Sequence, residues 1–204
     1  MKKMTGILLA AALLLGLTAC GAKQPATTDT LMPAELTPRE QMLAGSQDIF
    51  LYDFETSPTY TNVLITIEDY KNGVRGDDIA SLTCRLPENA AQKGGNNTGS
   101  LAVILSADHR FTASVCNKDG GIISSATSAE QSVIGKADFE KIKSLVAERA
   151  PIDGKPRTLA YLVYSDATKT QGTFDESIFL DPVAHKEQAV AFDHIYLVKC
   201  RFSA

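Results

Sequence analysis

The sequence predicts an α+β fold that is mainly β, an antiparallel strand meander or sandwich with one helix packed on the sheet. Three observations predict it. Short runs rich in β-branched and aromatic residues repeat with a period of two, turn chemistry separates them, and one segment alone changes to helical spacing. Thr37-Pro38-Arg39-Glu40 has capping-box spacing with proline at the first helical position, and Gly45 follows as a stop, so a two-turn helix is expected there. Strands follow at Asp48–Phe54, Asn62–Tyr70, Ile79–Leu86, Ser100–Ser106, Phe111–Asn117 and Gly121–Ala126. Asn72-Gly73 is a hairpin turn, Lys118-Asp119-Gly120-Gly121 a second and Ala107-Asp108-His109-Arg110 a third. Phe139, Ile142, Leu145 and Val146 recur at helical spacing between Gly135 and Pro151, which predicts the one long helix, a lid whose apolar stripe covers the sheet. Thr158–Tyr164 and His194–Phe202 return to strand. In the latter Tyr196, Val198, Cys200 and Phe202 alternate with Leu197, Lys199 and Arg201, so one side is set to be buried.

Composition narrows the function. Of 204 residues 44% are apolar and 22% charged, the balance of one soluble globular domain. Twenty Lys and Arg against 24 Asp and Glu give a net charge of -4, so the chain lacks the basic surface that a phosphate backbone demands and nucleic acid is not an expected partner.

The N-terminus carries an address. Lys2 and Lys3 precede an apolar run from Ile7 to Leu17, too short for the ~20 residues of a permanent membrane span and suited to a cleaved secretion leader. Leu17-Thr18-Ala19-Cys20, with Gly21 behind it, resembles the bacterial lipobox. That resemblance covers residues 1–21 and implies that Cys20 is acylated and becomes the first residue of the mature chain. Localisation at the cell membrane or outer membrane, lipid-anchored and facing away from the cytoplasm, follows from it. Loss of residues 1–19 removes Lys2 and Lys3, so the net charge of -4 becomes -6 and the lipid, rather than the acidic domain, holds the protein at an anionic surface. From Gly21 to Pro33 the residues offer almost nothing to bury, which predicts a disordered tether. The expected organisation is a leader at 1–19, a lipidated N-terminus and tether with a short helix at 20–46, and one mainly-β domain at 47–204.

No motif specifies a chemistry. The loop from Pro87 to Gly99, with Gly94-Gly95-Asn96-Asn97, is long and reads as mobile. No helix and no Gly-Lys-Ser/Thr follows to make it a phosphate cradle. His109, His185 and His194 show no metal-ligand spacing and no Cys-x-x-Cys pair exists, so neither a metal nor a cofactor is indicated. Ser106, Asp108 and His109 share a hairpin end but lack a nucleophile elbow, and Cys116 with His109 makes no stronger case. Asp53 and Glu55 lie two apart on one strand face, as a glycosidase pair might, but the chain has no Trp platform and such pairs are usually solvated. Arg75-Gly76-Asp77 spells an adhesion tripeptide in an acidic turn. With Cys20 committed to lipid, three cysteines remain, and Cys84 and Cys200, both on apolar strand faces, are the candidate disulfide.

Anchor, tether and β domain without a catalytic set favour a non-catalytic binding or accessory module for an envelope protein or wall component. The alternative is a cell-envelope hydrolase whose site is assembled from distant strands.

Overall fold

The computed structural model describes residues 29–86, 96–106, 110–117, 121–128, 139–146, 149–166, 168–169 and 174–204, with backbone alone at 139–141. The expected leader at 1–19, Cys20 and residues 21–28 lie outside the described residues, as do the expected turns at 107–109 and 118–120 and the loop at 87–95.

In chain order the elements are β1 (Thr30–Pro33), α1 (Pro38–Ala44), β2 (Asp48–Thr56), β3 (Asn62–Lys71), β4 (Val74–Arg85), β5 (Asn97–Leu105), β6 (Phe111–Asn117), β7 (Ile122–Thr127), β8 (Phe139–Leu145), β9 (Ala150–Pro151), β10 (Arg157–Asp166), α2 (Ser177–Leu180), α3 (Lys186–Ala189) and β11 (His194–Ser203). They form two antiparallel sheets, one ordered β7-β6-β5-β2-β1-β9 and the other β4-β3-β11-β10-β8. Between the sheets lies a single core. From the first sheet it takes Phe50, Tyr52 and Phe54, and from the second Val63, Ile65 and Ile67, every other residue as a pleated strand presents them. Asn72 and Gly73, with φ of 48° and 71°, close the β3–β4 hairpin in the left-handed conformation that a two-residue turn requires. Gly99 is there for closeness. A Cβ on it would stand 2.3 Å from the Cys116 carbonyl oxygen and 2.7 Å from the Phe54 ring.

α1 forms as its caps dictate. The Thr37 hydroxyl accepts from the Glu40 amide, the Glu40 carboxylate accepts from the Thr37 amide at 2.7 Å, Gly45 ends the helix at φ 59°, and none of its residues is buried.

Three expectations need correction. The helix expected over Phe139–Val146 is the edge strand β8, paired with β10 from Phe139 opposite Asp166 to Leu145 opposite Ala160. The physical reason is that both faces of this strand are covered. Ile142 packs against one apolar cluster and Leu145, three residues on, against the other, so a spacing of three arises from a strand's two faces rather than one helix stripe. The residues that pack on the sheet come instead from the 174–192 segment. Ile178, Phe179, Ala189 and Phe192 cover Tyr161, Val163, Ile195 and Leu197 on the outer face of β10 and β11.

The second correction is at the tether. Thr30–Pro33 is a strand held between β2 and β9, and Leu31 is buried in the core. One apolar side chain and backbone hydrogen bonding hold it in place, neither of which composition reveals. The third concerns Cys84 and Cys200, which are free thiols. Both face the core, but β3 runs between them, with Val63 opposite Cys84 and Ile65 opposite Cys200. Two strand spacings separate the cysteines by ~10 Å, beyond the ~7 Å that a disulfide spans.

Candidate functional site

Where β10 begins, the sandwich opens into a cleft. The turn before it carries Gly154 at φ 77°, and a bulge between Thr158 and Ala160 shifts its register against β11. The bulge turns the Leu159 carbonyl toward two donors. The Val146 amide reaches it at 2.7 Å, and the Tyr52 hydroxyl, from the opposite sheet, also donates to it. Burial pushes the Tyr52 phenol well above its usual range, so the hydroxyl stays neutral and serves as a fixed pin between the sheets. On the other wall, β9 pairs with β1 through Thr30 opposite Pro151 and Leu31 opposite Ala150, and the Ile152 amide donates to the Asp29 carbonyl at 2.9 Å.

The resulting cavity measures about 350 Å³. Leu31, Tyr52, Leu159 and Leu180 give it apolar surface, and Arg149 and Arg157 stand in the same lining. Arg149 donates to the Thr30 hydroxyl at 3.4 Å and has no carboxylate partner among the described residues. Arg157 is bonded to Asp153 at 2.7 Å through Nη2, while its Nε is buried with no hydrogen-bond partner among the described residues. The Lys155 amide holds the Asp153 carboxyl below the usual carboxylate range, aided by the charges of Arg157 and Lys155. Two guanidiniums set beside apolar side chains can hold an anion whose body is apolar.

The opposite end of the sandwich holds a polar and aromatic group. His194 Nδ1 lies 3.2 Å from Asp69 Oδ1, and its ring stacks on Tyr196 at 5.6 Å between centroids. Tyr164 packs edge-on against Tyr196, and burial together with nearby Asp48 pushes its phenol up. Asp48 itself pairs with Lys143 of β8. No serine or cysteine hydrogen bonds to His194 among the described residues.

On the outer face of the second sheet, Glu68 accepts from Lys199 at 2.7 Å, Arg75 at 3.3 Å and the Tyr70 hydroxyl at 2.9 Å, so its charge is compensated locally. The Arg75-Gly76-Asp77 tripeptide is thereby drawn into β4, with Arg75 held by Glu68 and Asp78 rather than displayed at a loop tip.

The residues singled out from the sequence are dispersed. The Ser106 hydroxyl closes its hairpin by donating to the Arg110 carbonyl at 2.9 Å, while Asp108 and His109 fall outside the described residues. Asp53 and Glu55 share the exposed face of β2, where Ser100 and Asn96 donate to them. Cys116 is half-buried on β6, and Cys200 is enclosed so thoroughly that burial pushes its thiol up to about 12. Cys20 lies outside the described residues. Sequence reasoning missed Arg149, Arg157 and Tyr52. The available signal was Arg149-Ala150-Pro151 and Lys155-Pro156-Arg157, two cationic segments bracketing a turn in an otherwise acidic chain.

No family model, curated protein or solved structure matches the chain.

Proposed function

We propose that this chain is a lipid-anchored extracytoplasmic lipoprotein, acylated at Cys20, whose sandwich is a non-catalytic binding or accessory domain with the Arg149–Arg157 cleft as its ligand site. The observation that carries the binding part is the cleft itself. A cavity of about 350 Å³ with apolar lining and two guanidiniums falls within the ~300–1,000 Å³ range of small-ligand sites. The anchoring part rests on the leader and on Leu17-Thr18-Ala19-Cys20. Because Asp29 and Thr30 are already bonded to the β9 segment that walls the cleft, nine Cα–Cα steps, from Cys20 to Asp29, join it to the anchor. Nine residues reach no farther than ~30 Å, which keeps the cleft close to the headgroups and directs its partners toward envelope components.

One experiment separates the two parts. Expressed in a bacterial host, the full chain should partition into detergent with an acyl mass on its N-terminus, and Cys20→Ala should be processed poorly and lose both. An unchanged acyl mass in Cys20→Ala would overturn the anchor without touching the cleft.

The hydrolase reading has one observation in its favour, the Asp69–His194 pair, since a carboxylate on Nδ1 is how an imidazole is oriented for proton transfer. Esterase, amidase or glycosidase turnover lost in a folded His194→Ala variant would establish it.

A further inference from the structure

We infer that the cleft recognises a single carboxylate borne on a small apolar body, such as an organic acid or the terminal residue of a peptide ending in an apolar side chain. This rests on the reading of the domain as a binding module and names what it binds.

The charge around the cleft argues for a monoanion. Asp153 already occupies Nη2 of Arg157, which leaves Arg149 as the guanidinium without a carboxylate among the described residues. One uncompensated cation matches one carboxylate. A phosphate dianion would lack a second free partner. The Nε of Arg157 is buried without a hydrogen-bond partner among the described residues, a cost to the fold that a ligand in the open cleft does not reach, so the free charge of Arg149 carries the recognition. Guanidinium planes favour carboxylates by bidentate geometry as well as by charge.

The rest of the lining argues for the apolar body. Leu31, Leu159 and Leu180 offer hydrocarbon, Tyr52 already donates its hydroxyl to the Leu159 carbonyl, and Thr158 is the other side-chain hydroxyl of the lining. A highly hydroxylated ligand such as a sugar would therefore leave most of its hydroxyls unpaired against these side chains. Size sets the final limit. About 350 Å³ suits one residue, or a short acid, and not an extended chain.

Titration calorimetry on the detergent-solubilised full chain tests this with N-acetyl-leucine, N-acetyl-leucinamide, hexanoate and inorganic phosphate. The two acids should bind. The amide should bind at least about tenfold more weakly, because it presents no charge to the guanidiniums. Arg149→Gln, an exposed side chain with a single hydroxyl contact, should cost the acids a similar factor while leaving the circular dichroism unchanged. Arg157→Lys keeps the charge and the fold but removes the planar fork, and should also weaken them. Hexanoate binding alone would place the source among free organic acids, and N-acetyl-leucine binding alone among peptide ends. Equal affinity for acid and amide would overturn the carboxylate and leave the cleft a binding site. Tighter binding of phosphate would overturn the monoanion. Failure of all four probes would overturn this inference and remove the cleft's support for the binding reading.

Discussion

β6 and β10 differ in how many of their faces are covered. β6 buries Phe111, Ala113 and Val115 and leaves Thr112 and Ser114 between them half-buried, the alternation of a strand with one wet face. β10 buries seven consecutive residues from Leu159 to Ser165, because the core lies on one side and Phe179 and Phe192 on the other. Covering both faces erases the period of two. It also explains where the cleft falls. Of the outer cover only Leu180 reaches the cleft, and the first residues of β10 become the wall that carries Arg157. The doubly covered stretch is the frame, and the place where the cover stops is the proposed site.

Removing the cover is the most direct way to break this contrast, and the largest effect is expected there. Phe192 meets Phe174 and Phe179 at ring-centroid distances of 5.2 and 5.0 Å and is buried beneath them. Phe192→Ala should destabilise the fold by about 3–5 kcal/mol, measured as a shift in the denaturation midpoint. A loss under about 1 kcal/mol would mean that the 174–192 segment adds little to the frame.

On the singly covered sheet the sensitive position is a contact rather than a ring. Gly99→Ala sets a methyl against the Cys116 carbonyl and the Phe54 ring, and should cost about 1–3 kcal/mol through overpacking. Chemical denaturation of the variant checks it. An unchanged midpoint would show that β5 and β6 part easily at that end.

Ile142 sharpens the account of β8. It is half-buried against the outer cluster, so Ile142→Ala should cost about 1–2 kcal/mol, less than the ~2–5 of a fully enclosed site. Hydrogen exchange along 139–145 would add the decisive pattern. Amides bonded to β10 should be protected alternately, as on an edge strand, whereas uniform protection would restore the helix.

The last effect is an alkaline one, absent near neutral pH. Cys200 is neutral in the fold and resists ionisation to about 12, against 9.0 for an exposed thiol, and burial likewise raises Tyr52, Tyr70 and Tyr164. Groups with raised folded values stabilise fully below their unfolded values. That stability is lost as pH rises and the unfolded chain releases their protons first. Unfolding free energy from chemical denaturation should therefore hold level to about pH 9 and fall above it, with Cys200→Ala flattening the slope between pH 9 and 12 by at most ~1.4 kcal/mol per pH unit. A slope unchanged in that variant would show that Cys200 ionises as readily as an exposed thiol.

Much of this fold was legible because most of its strands bury one side. Phe111–Asn117 shows both its ends and its alternation in the residues, Asn72-Gly73 marks its hairpin, and Thr37 with Glu40 writes its cap. Two short elements were not. β8 hid behind a spacing of three shared between two faces, and β1 has Leu31 as its one buried apolar residue. The cleft was less legible still. Leu31, Tyr52, Arg149 and Arg157 are separated by up to 126 positions and meet because β9 and the bulge in β10 bring them together. Local pattern contains no record of that meeting.

The central claim, that ligand binding occurs where the cover ends, is tested most directly by mapping backbone amide shifts of the full chain during titration with N-acetyl-leucine. The largest changes should fall on Leu31, Tyr52, Arg149, Ala150 and the stretch Arg157–Leu159, with β6 and the interior of β10 unmoved. Changes centred instead on Asp69, His194 and Tyr196 would move the site to the opposite end of the sandwich and contradict the account.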